Sequence, residues 1–152
     1  MTILYVDADA CPVKEEAVRV GERHGARIRI VSNSWMRLPD SDLVERVIVP
    51  EGPDEADNWI AERAGTGDVV VTADVPLAAR CVKAGALVIS PNGKPFREDA
   101  IGMRLAMRDL NTHLRETGEI REGGPPFTKA DRSRFLNQLE TIMRAAKRMS
   151  AG

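Results

Sequence analysis

The chain has 152 residues, 43% of them hydrophobic, which is the size of one ordinary domain with its own core. A formal net charge of −1 excludes a general polycation, so any nucleic-acid contact must come from a local basic patch. Two cysteines and two histidines give neither a disulfide framework nor a zinc spacing, and no apolar run approaches the roughly 20 residues that span a bilayer. We expect a single cytoplasmic domain over residues 1–152, with no membrane partner.

Short apolar segments alternate with helical patterns through residues 1–90. The predicted strands are 3–6, 27–31, 44–49, 69–73 and 87–89. Helical patterns lie between them, over 12–24, 53–64 and 76–84. This alternation is typical of a parallel sheet between two layers of helices. It predicts an α/β fold of the three-layer α/β/α type, with a five-stranded, mainly parallel sheet.

The pattern changes after Ser90, where we expect a loop and then two additional C-terminal helices over 98–149, without further strands. One helical stripe runs over 103–114 and another over 135–146, with a Gly-Gly-Pro-Pro segment between them. Thr128 and Asp131 have the spacing of a capping box for the last helix. Residues 129–152 carry six basic and two acidic side chains, so this end of the chain is basic.

Polar side chains follow the predicted strands at the points where the strands end. In a parallel sheet these ends share one edge, the edge on which open α/β sheets bind ligands. The acids expected there are Asp7 and Asp9 after the first strand, Asp57 in the helix after the third, and Asp74 closing the fourth. The expected substrate contacts at the same edge are Asn33, Asn92, Lys94 and Arg97.

A cluster of carboxylates at this edge calls for a cation. Two carboxylates about 4 Å apart repel by roughly 4 kcal/mol at an effective dielectric of about 20, a large part of a typical stability of about 5–15 kcal/mol. Oxygen ligands without His or Cys favour Mg²⁺ or Mn²⁺ over zinc. We therefore predict that Asp7, Asp9, Asp57 and Asp74 are metal ligands and catalytic residues in phosphate-ester chemistry.

Several of these residues also have a structural interpretation. Asp54 is most simply a helix N-cap rather than a ligand, and Asp74 has the position to cap the helix that follows it. Asp57 has the position to stabilise the positive end of its helix. Trp35 and Trp59 are suited to stack on bases or to fill the core, and core filling is the expected role.

The motifs taken together resemble one family, the YaiI/YqxD family of uncharacterised bacterial proteins, over nearly the whole chain. They are Asp7-Ala8-Asp9-Ala10-Cys11-Pro12-Val13, Asp54-Glu55-Ala56-Asp57, Thr72-Ala73-Asp74-Val75-Pro76-Leu77-Ala78, Pro91-Asn92-Gly93-Lys94 and Asp131-Arg132. The resemblance implies a relationship to PIN-like nucleases, which bind metal through acids at one edge of a parallel sheet. Asp7, Asp57 and Asp74 match the acidic positions of that fold, and Asp9 is an additional ligand. PIN sites often have a further acid soon after the last of these, and residues 75–80 contain none.

Three functions compete at this stage. The leading one is an Mg²⁺- or Mn²⁺-dependent phosphodiesterase, nuclease-like, acting on RNA or DNA, with single-stranded nucleic acid as its partner. The first alternative is a non-catalytic PIN-like domain that binds nucleic acid or a protein through its basic C-terminal helix. The second alternative is a haloacid-dehalogenase-like phosphatase with Asp7 as nucleophile, which the resemblance of Asp7-Ala8-Asp9 suggests, although the order of Asp74 and Lys94 is unsuited to it.

Overall fold

The computed structural model describes residues 2–9, 11–52, 54–97 and 127–151. Strands and helices alternate in these residues as the sequence pattern indicates. In chain order they are β1 (Ile3–Asp7), α1 (Lys14–Arg23), β2 (Arg27–Ser32), β3 (Val44–Ile48), α2 (Glu55–Ala61), β4 (Val69–Val71), α3 (Val75–Lys83), β5 (Leu87–Ile89), β6 (Pro95–Phe96) and α4 (Lys129–Ala151).

The strands form one sheet in the order β3-β2-β1-β4-β5-β6. Strands β1 to β5 pair in parallel, and β6 pairs with β5 in the antiparallel direction. From β1 the chain moves outward through β2 to β3, returns to β4 on the other side of β1, and continues outward to β5. The order of strands therefore reverses between β1 and β4, which makes the carboxyl ends of these two strands a topological switch point.

Helices cover both faces of the sheet. Leu4 and Val6 of β1 belong to one buried cluster with residues of α1 and α4, among them Phe135. Tyr5, between them in sequence, belongs to a second buried cluster with residues of α2 and α3, among them Leu77. Because alternate side chains of a strand point to opposite faces, these two cores are the two sides of one sheet. The three-layer α/β/α prediction is confirmed.

The prediction of only five strands is wrong, because the segment after Ser90 turns back and adds β6. Ser90 N–H donates to the Lys94 carbonyl at 3.0 Å, and Val88 then pairs with Phe96. Strand β6 has two residues and begins with a proline, so it contains no period-two pattern from which a strand is recognised. The five predicted strands are all present, although the fourth ends at Val71 rather than residue 73.

The predicted capping box of the last helix is confirmed. Thr128 N–H donates to Asp131 Oδ2 at 3.0 Å, and Asp131 N–H donates to Thr128 Oγ1 at 3.1 Å. The predicted helical stripe over 103–114 and the Gly-Gly-Pro-Pro segment lie outside the described residues. Among the helices that the structure describes, none combines the length and the apolar character needed to cross a membrane.

Helix α4 packs closely on the turn between β5 and β6. Gly93 has a φ of +88°, and a Cβ placed on it would lie 2.6 Å from the backbone of Arg134 and Phe135. Arg134 Nη1 also donates to the Asn92 carbonyl at 3.2 Å. The turn thus presents backbone directly to the helix, and this approach requires glycine at position 93.

Candidate functional site

Asp7 ends β1 at the switch point, next to the last residues of β4. Val6 of β1 pairs with Val71 of β4, so the next residues along the two parallel strands, Asp7 and Thr72, lie side by side. The Thr72 hydroxyl donates to Asp7 Oδ2 at 2.8 Å, and the hydroxyl oxygen accepts a hydrogen bond from the Asp74 backbone N–H at 3.0 Å. Thr72 is buried, so its hydroxyl holds the Asp7 carboxylate in place and joins it to the start of α3.

Asp74 caps helix α3. Its Oδ1 accepts a hydrogen bond from Leu77 N–H at 2.8 Å, and its backbone is extended, as at a standard N-cap. The structural interpretation of Asp74 is therefore confirmed. Capping uses one carboxylate oxygen and does not separate Asp74 from the other acids, because Asp74 is close enough to raise the pKa of Asp7.

The pKa of Asp7 depends on the acids that lie near it. The pKa of Asp7 is raised from 3.8 to about 6, mainly by burial; the Thr72 hydrogen bond opposes this rise, and the charges of Asp57, Asp74 and Asp9 contribute to it. All three neighbours are acids that the sequence predicted for this site. The structure thus brings Asp9, Asp57 and Asp74 within electrostatic range of Asp7.

The other two acids of the site, Asp9 and Asp57, come from different elements. Asp9 is exposed, and its Oδ2 accepts a hydrogen bond from Asn33 N–H at 3.2 Å, which ties the end of β1 to the end of β2. Asn33 thus lies at the predicted edge, where its backbone makes this contact. Asp57 is half-buried in the first turn of α2, where a carboxylate also stabilises the positive end of the helix.

The acids are near one another without forming a closed ligand shell. Within the described ranges, no group of three or more His, Cys, Asp or Glu side chains meets closely enough to hold a metal ion. The donors are nevertheless all carboxylate oxygens, the set that Mg²⁺ and Mn²⁺ prefer, and Mg²⁺ usually keeps several waters between itself and the protein. The chemistry of the residues therefore fits a hydrated divalent cation better than a fully chelated one.

Asp54 occupies the predicted position but not the predicted hydrogen bond. It is the N-cap residue of α2, its carbonyl accepts from Asn58 N–H at 2.8 Å, and its side chain makes no capping hydrogen bond. Its φ of +70° is left-handed, whereas a side chain caps from the extended region. The prediction that the Asp54 side chain caps the helix is therefore wrong.

The predicted substrate contacts after β5 lie on the turn to β6. The Asn92 side-chain oxygen accepts from the Ser90 hydroxyl and from Lys94 N–H, so it shapes the turn. Lys94 and Arg97 are exposed. Contact of these three side chains with a substrate stays a prediction.

The basic end of the chain is partly neutralised on the helix surface. Arg132 pairs with Glu16 of α1 at 3.4 Å, and Arg134 pairs with Asp131 at 3.1 Å. Arg144 pairs with Glu140 at 3.4 Å. Among the described residues, Arg132, Arg134 and Arg144 of this basic end are therefore in ion pairs with acids of the same protein.

Two features of this edge were not expected from sequence. Thr72 is one, since the sequence singled it out only as part of the motif that contains Asp74 and not as the residue that orients Asp7. Trp35 is the other, because its side chain is 66% exposed, so the prediction that it fills the core is wrong. Its polar surroundings in sequence, Ser32-Asn33-Ser34 before it, were the available signal. Trp59 is half-buried and packs edge-on against Tyr5.

The fold and this edge define a class: a three-layer α/β/α protein with an acidic cluster at the switch point of a mostly parallel sheet. The chain belongs to the YaiI/YqxD family, described as uncharacterised, whose family profile matches residues 5–145. The family resemblance noted from the motifs is thereby confirmed.

Bacterial relatives align with nearly the whole chain. A UPF0178 protein of Parvibaculum lavamentivorans is 60% identical over 148 residues, covering 97% of each chain. One of Ruegeria pomeroyi is 58% identical over 154 residues and covers all of both chains. One of Cereibacter sphaeroides is 61% identical over 147 residues, covering 96% of this chain and 91% of its own. No solved structure matches the chain.

Proposed function

We propose that this protein is a divalent-cation-dependent phosphodiesterase that acts on RNA or DNA at the carboxyl edge of β1 and β4. The observation that carries the proposal is the position of Asp7, a partly buried carboxylate at the switch point with three further acids in electrostatic range. Ligands of open α/β sheets bind at such switch points. Mg²⁺ or Mn²⁺ is the cofactor that this set of oxygen donors favours.

The charge balance of the edge supports a bound cation. A carboxylate whose pKa is raised to about 6 by burial and by like charges is ionised at neutral pH at a cost in stability. A divalent cation replaces the repulsion between the carboxylates by attraction, because it attracts every carboxylate in the cluster. The resemblance of Asp7, Asp57 and Asp74 to the acidic positions of PIN-like nucleases supports the same proposal independently of the charge balance.

The roles of the residues follow from their contacts. Asp7 is the central ligand, oriented by the Thr72 hydroxyl, and Asp57 and Asp74, each close enough to raise the pKa of Asp7, are further ligands. Asp9 is exposed, where a substrate can reach it, and the Asn33 N–H fixes its carboxylate. When bound, the cation lowers the pKa of an attacking water and polarises the phosphoryl oxygens. The protein holds the acids that keep the cation at the strand ends.

Cleavage of RNA by purified protein tests the proposal. Wild-type protein with Mn²⁺ is expected to cleave single-stranded RNA, and Asp7→Asn and Asp74→Asn are each expected to lower the rate by about two orders of magnitude. The matched control is Asp40→Asn, which removes an exposed carboxylate from the loop before β3 and leaves the edge intact.

RNA cleavage that is unchanged in Asp7→Asn would contradict the assignment of the site. Mn²⁺ binding without turnover on any RNA or DNA would instead favour the non-catalytic alternative, a domain that binds nucleic acid. Phosphate trapped covalently on Asp7 would favour the phosphatase alternative. Calorimetric titration of Mn²⁺ and gel analysis of the products separate these three results.

A further inference from the structure

An exposed tryptophan lies on the loop that follows β2. The Trp35 side chain is 66% exposed, although a tryptophan ring is among the largest apolar groups that a core can bury. The guanidinium of Arg46, on β3, lies over this ring with its Cζ 4.8 Å from the ring centroid. We call Trp35 together with Arg46 the Trp35 platform. The cation–π contact holds an otherwise exposed ring in a defined place.

The Trp35 platform is adjacent to the acidic edge. Trp35 comes two residues after Asn33, whose N–H donates to Asp9 Oδ2 at 3.2 Å. Two residues of fully extended chain span about 7 Å, so the Trp35 Cα lies no further than about 12 Å from the Asp9 carboxylate. A strand with one base on the ring is therefore close enough to reach the Asp9 side of the acidic edge.

The size of the exposed apolar surface around Trp35 determines which kind of partner can bind there. Ile48, 52% exposed, lies two residues after Arg46 on β3 and so points to the same face of the sheet. A tryptophan ring buries about 150–250 Å², whereas a stable protein interface needs about 1,200 Å² or more. The apolar area of Trp35 and Ile48 is far smaller than that of a protein interface and is close to the area that one planar ring covers. The positive charge of Arg46 further favours a polyanion over a neutral partner.

We propose that Trp35 and Arg46 form a stacking site for an unpaired nucleobase of single-stranded nucleic acid bound at the acidic edge. A base stacks on the exposed part of the ring, and Arg46 contacts a neighbouring phosphate. Interior base pairs of a duplex are stacked on both faces and cannot lie on the ring, so the platform favours single strands. This inference rests on the proposed function, because it names the substrate class of the same edge.

Binding without metal tests the inference apart from catalysis. The chain has two tryptophans, so Trp59→Phe leaves Trp35 as the sole tryptophan, and its fluorescence reports directly on stacking. In EDTA, a single-stranded RNA of about 12 nucleotides is expected to quench this fluorescence, and the blunt duplex of the same sequence is not. Trp59 packs against Tyr5 on the other face, so Trp59→Phe also serves as the matched control with unchanged affinity.

Affinities of variants, measured by anisotropy of labelled RNA, complete the test. Trp35→Ala is expected to weaken binding by about tenfold or more, and Trp35→Phe to restore most of it. Arg46→Ala is expected to lower the slope of log affinity against log salt by about one. Equal affinity of Trp35→Ala and wild type, or equal binding of duplex and single strand, would overturn the inference. So would self-association that Trp35→Ala abolishes in a protein that binds no RNA.

These outcomes are distinct from those of the proposed function. Trp35-dependent RNA binding in a protein that never cleaves supports the stacking site and refutes the proposed catalysis. Cleavage that requires Asp7, in a protein whose RNA affinity is unchanged by Trp35→Ala, supports the catalysis and refutes the stacking site.

Discussion

Thr72 is the residue on which the orientation of Asp7 depends. Its hydroxyl gives a hydrogen bond to the Asp7 carboxylate and receives one from Asp74 N–H, so a single buried oxygen connects β1, β4 and α3. A hydrogen bond donated to a carboxylate stabilises the ionised form, and this contact is the main influence that lowers the pKa of Asp7.

Removal of the Thr72 hydroxyl should therefore raise the pKa of Asp7. Thr72→Val keeps the shape of the side chain and deletes the donor, so we expect the pKa of Asp7 to rise above its present value of about 6. Thr72→Ser keeps the hydroxyl and is the matched control, with little change expected. NMR titration of the Asp7 carboxyl carbon measures both variants, and a pKa of Asp7 that is lower in Thr72→Val than in wild type would contradict the assigned hydrogen bond.

At the scale of elements, α4 and the turn between β5 and β6 depend on each other. The turn brings Gly93 against the backbone of α4, and Arg134 donates to the Asn92 carbonyl. The helix in turn buries Phe135, Leu139 and Met143 in the core on its face of the sheet. A side chain at position 93 would push α4 away from the turn and from the core.

We expect Gly93→Ala to be strongly destabilising. Its φ of +88° already costs an alanine about 1–2 kcal/mol, and the new Cβ would meet backbone at 2.6 Å, which adds about 1–3 kcal/mol of overpacking. The control is Gly25→Ala, where φ is +66° and nothing lies within 4 Å of the new Cβ, so only the first cost applies. Urea unfolding measures the difference, and equal loss of stability in the two variants would contradict the close packing of α4.

The elements also show how far sequence reasoning extends. Strands β1, β2 and β4 were predictable because apolar runs between turn residues suffice to specify them. Strand β6 was not, because two residues carry no period and its pairing comes from the turn after Ser90. The capping box at Thr128 was predictable because capping is local. The left-handed backbone of Asp54 was not, because Asp is favoured both as an N-cap and in left-handed conformations, so the residue type does not decide between them.

At the scale of the whole molecule, the acidic edge makes stability depend on pH and on divalent cations. The pKa of Asp7 is about 6 in the folded protein against an ordinary value of 3.8 in an unfolded chain, so the folded state binds the proton more tightly. This contribution to stability is fully present below pH 3.8 and is lost as the pH rises through about 6. A shift of this size corresponds to about 3 kcal/mol.

Asp7→Asn is therefore expected to be more stable than wild type in EDTA at about pH 7.5, by up to about 3 kcal/mol, and to lose this advantage near pH 4. The asparagine oxygen still accepts the Thr72 hydrogen bond, so the comparison isolates the charge. With Mn²⁺ at about 100 times its dissociation constant, wild type should gain about 2.7 kcal/mol that Asp7→Asn does not. Urea unfolding with and without Mn²⁺ measures both effects. An Asp7→Asn variant that is the less stable protein at about pH 7.5 in EDTA contradicts the assigned burial of the charge.

The sequence by itself determined the three-layer class, five of the strands, the local cap at Thr128 and the choice of Asp7, Asp9, Asp57 and Asp74 as neighbours at one edge. Those features follow from periodicity, from local hydrogen bonding and from the rule that parallel strands end together. Only the tertiary structure decided that β1 and β4 meet at the switch point, that Thr72 orients Asp7, and that Trp35 is exposed on the loop after β2. These depend on contacts between residues distant in sequence, and the ordering of strands and the burial of a side chain are set by such contacts.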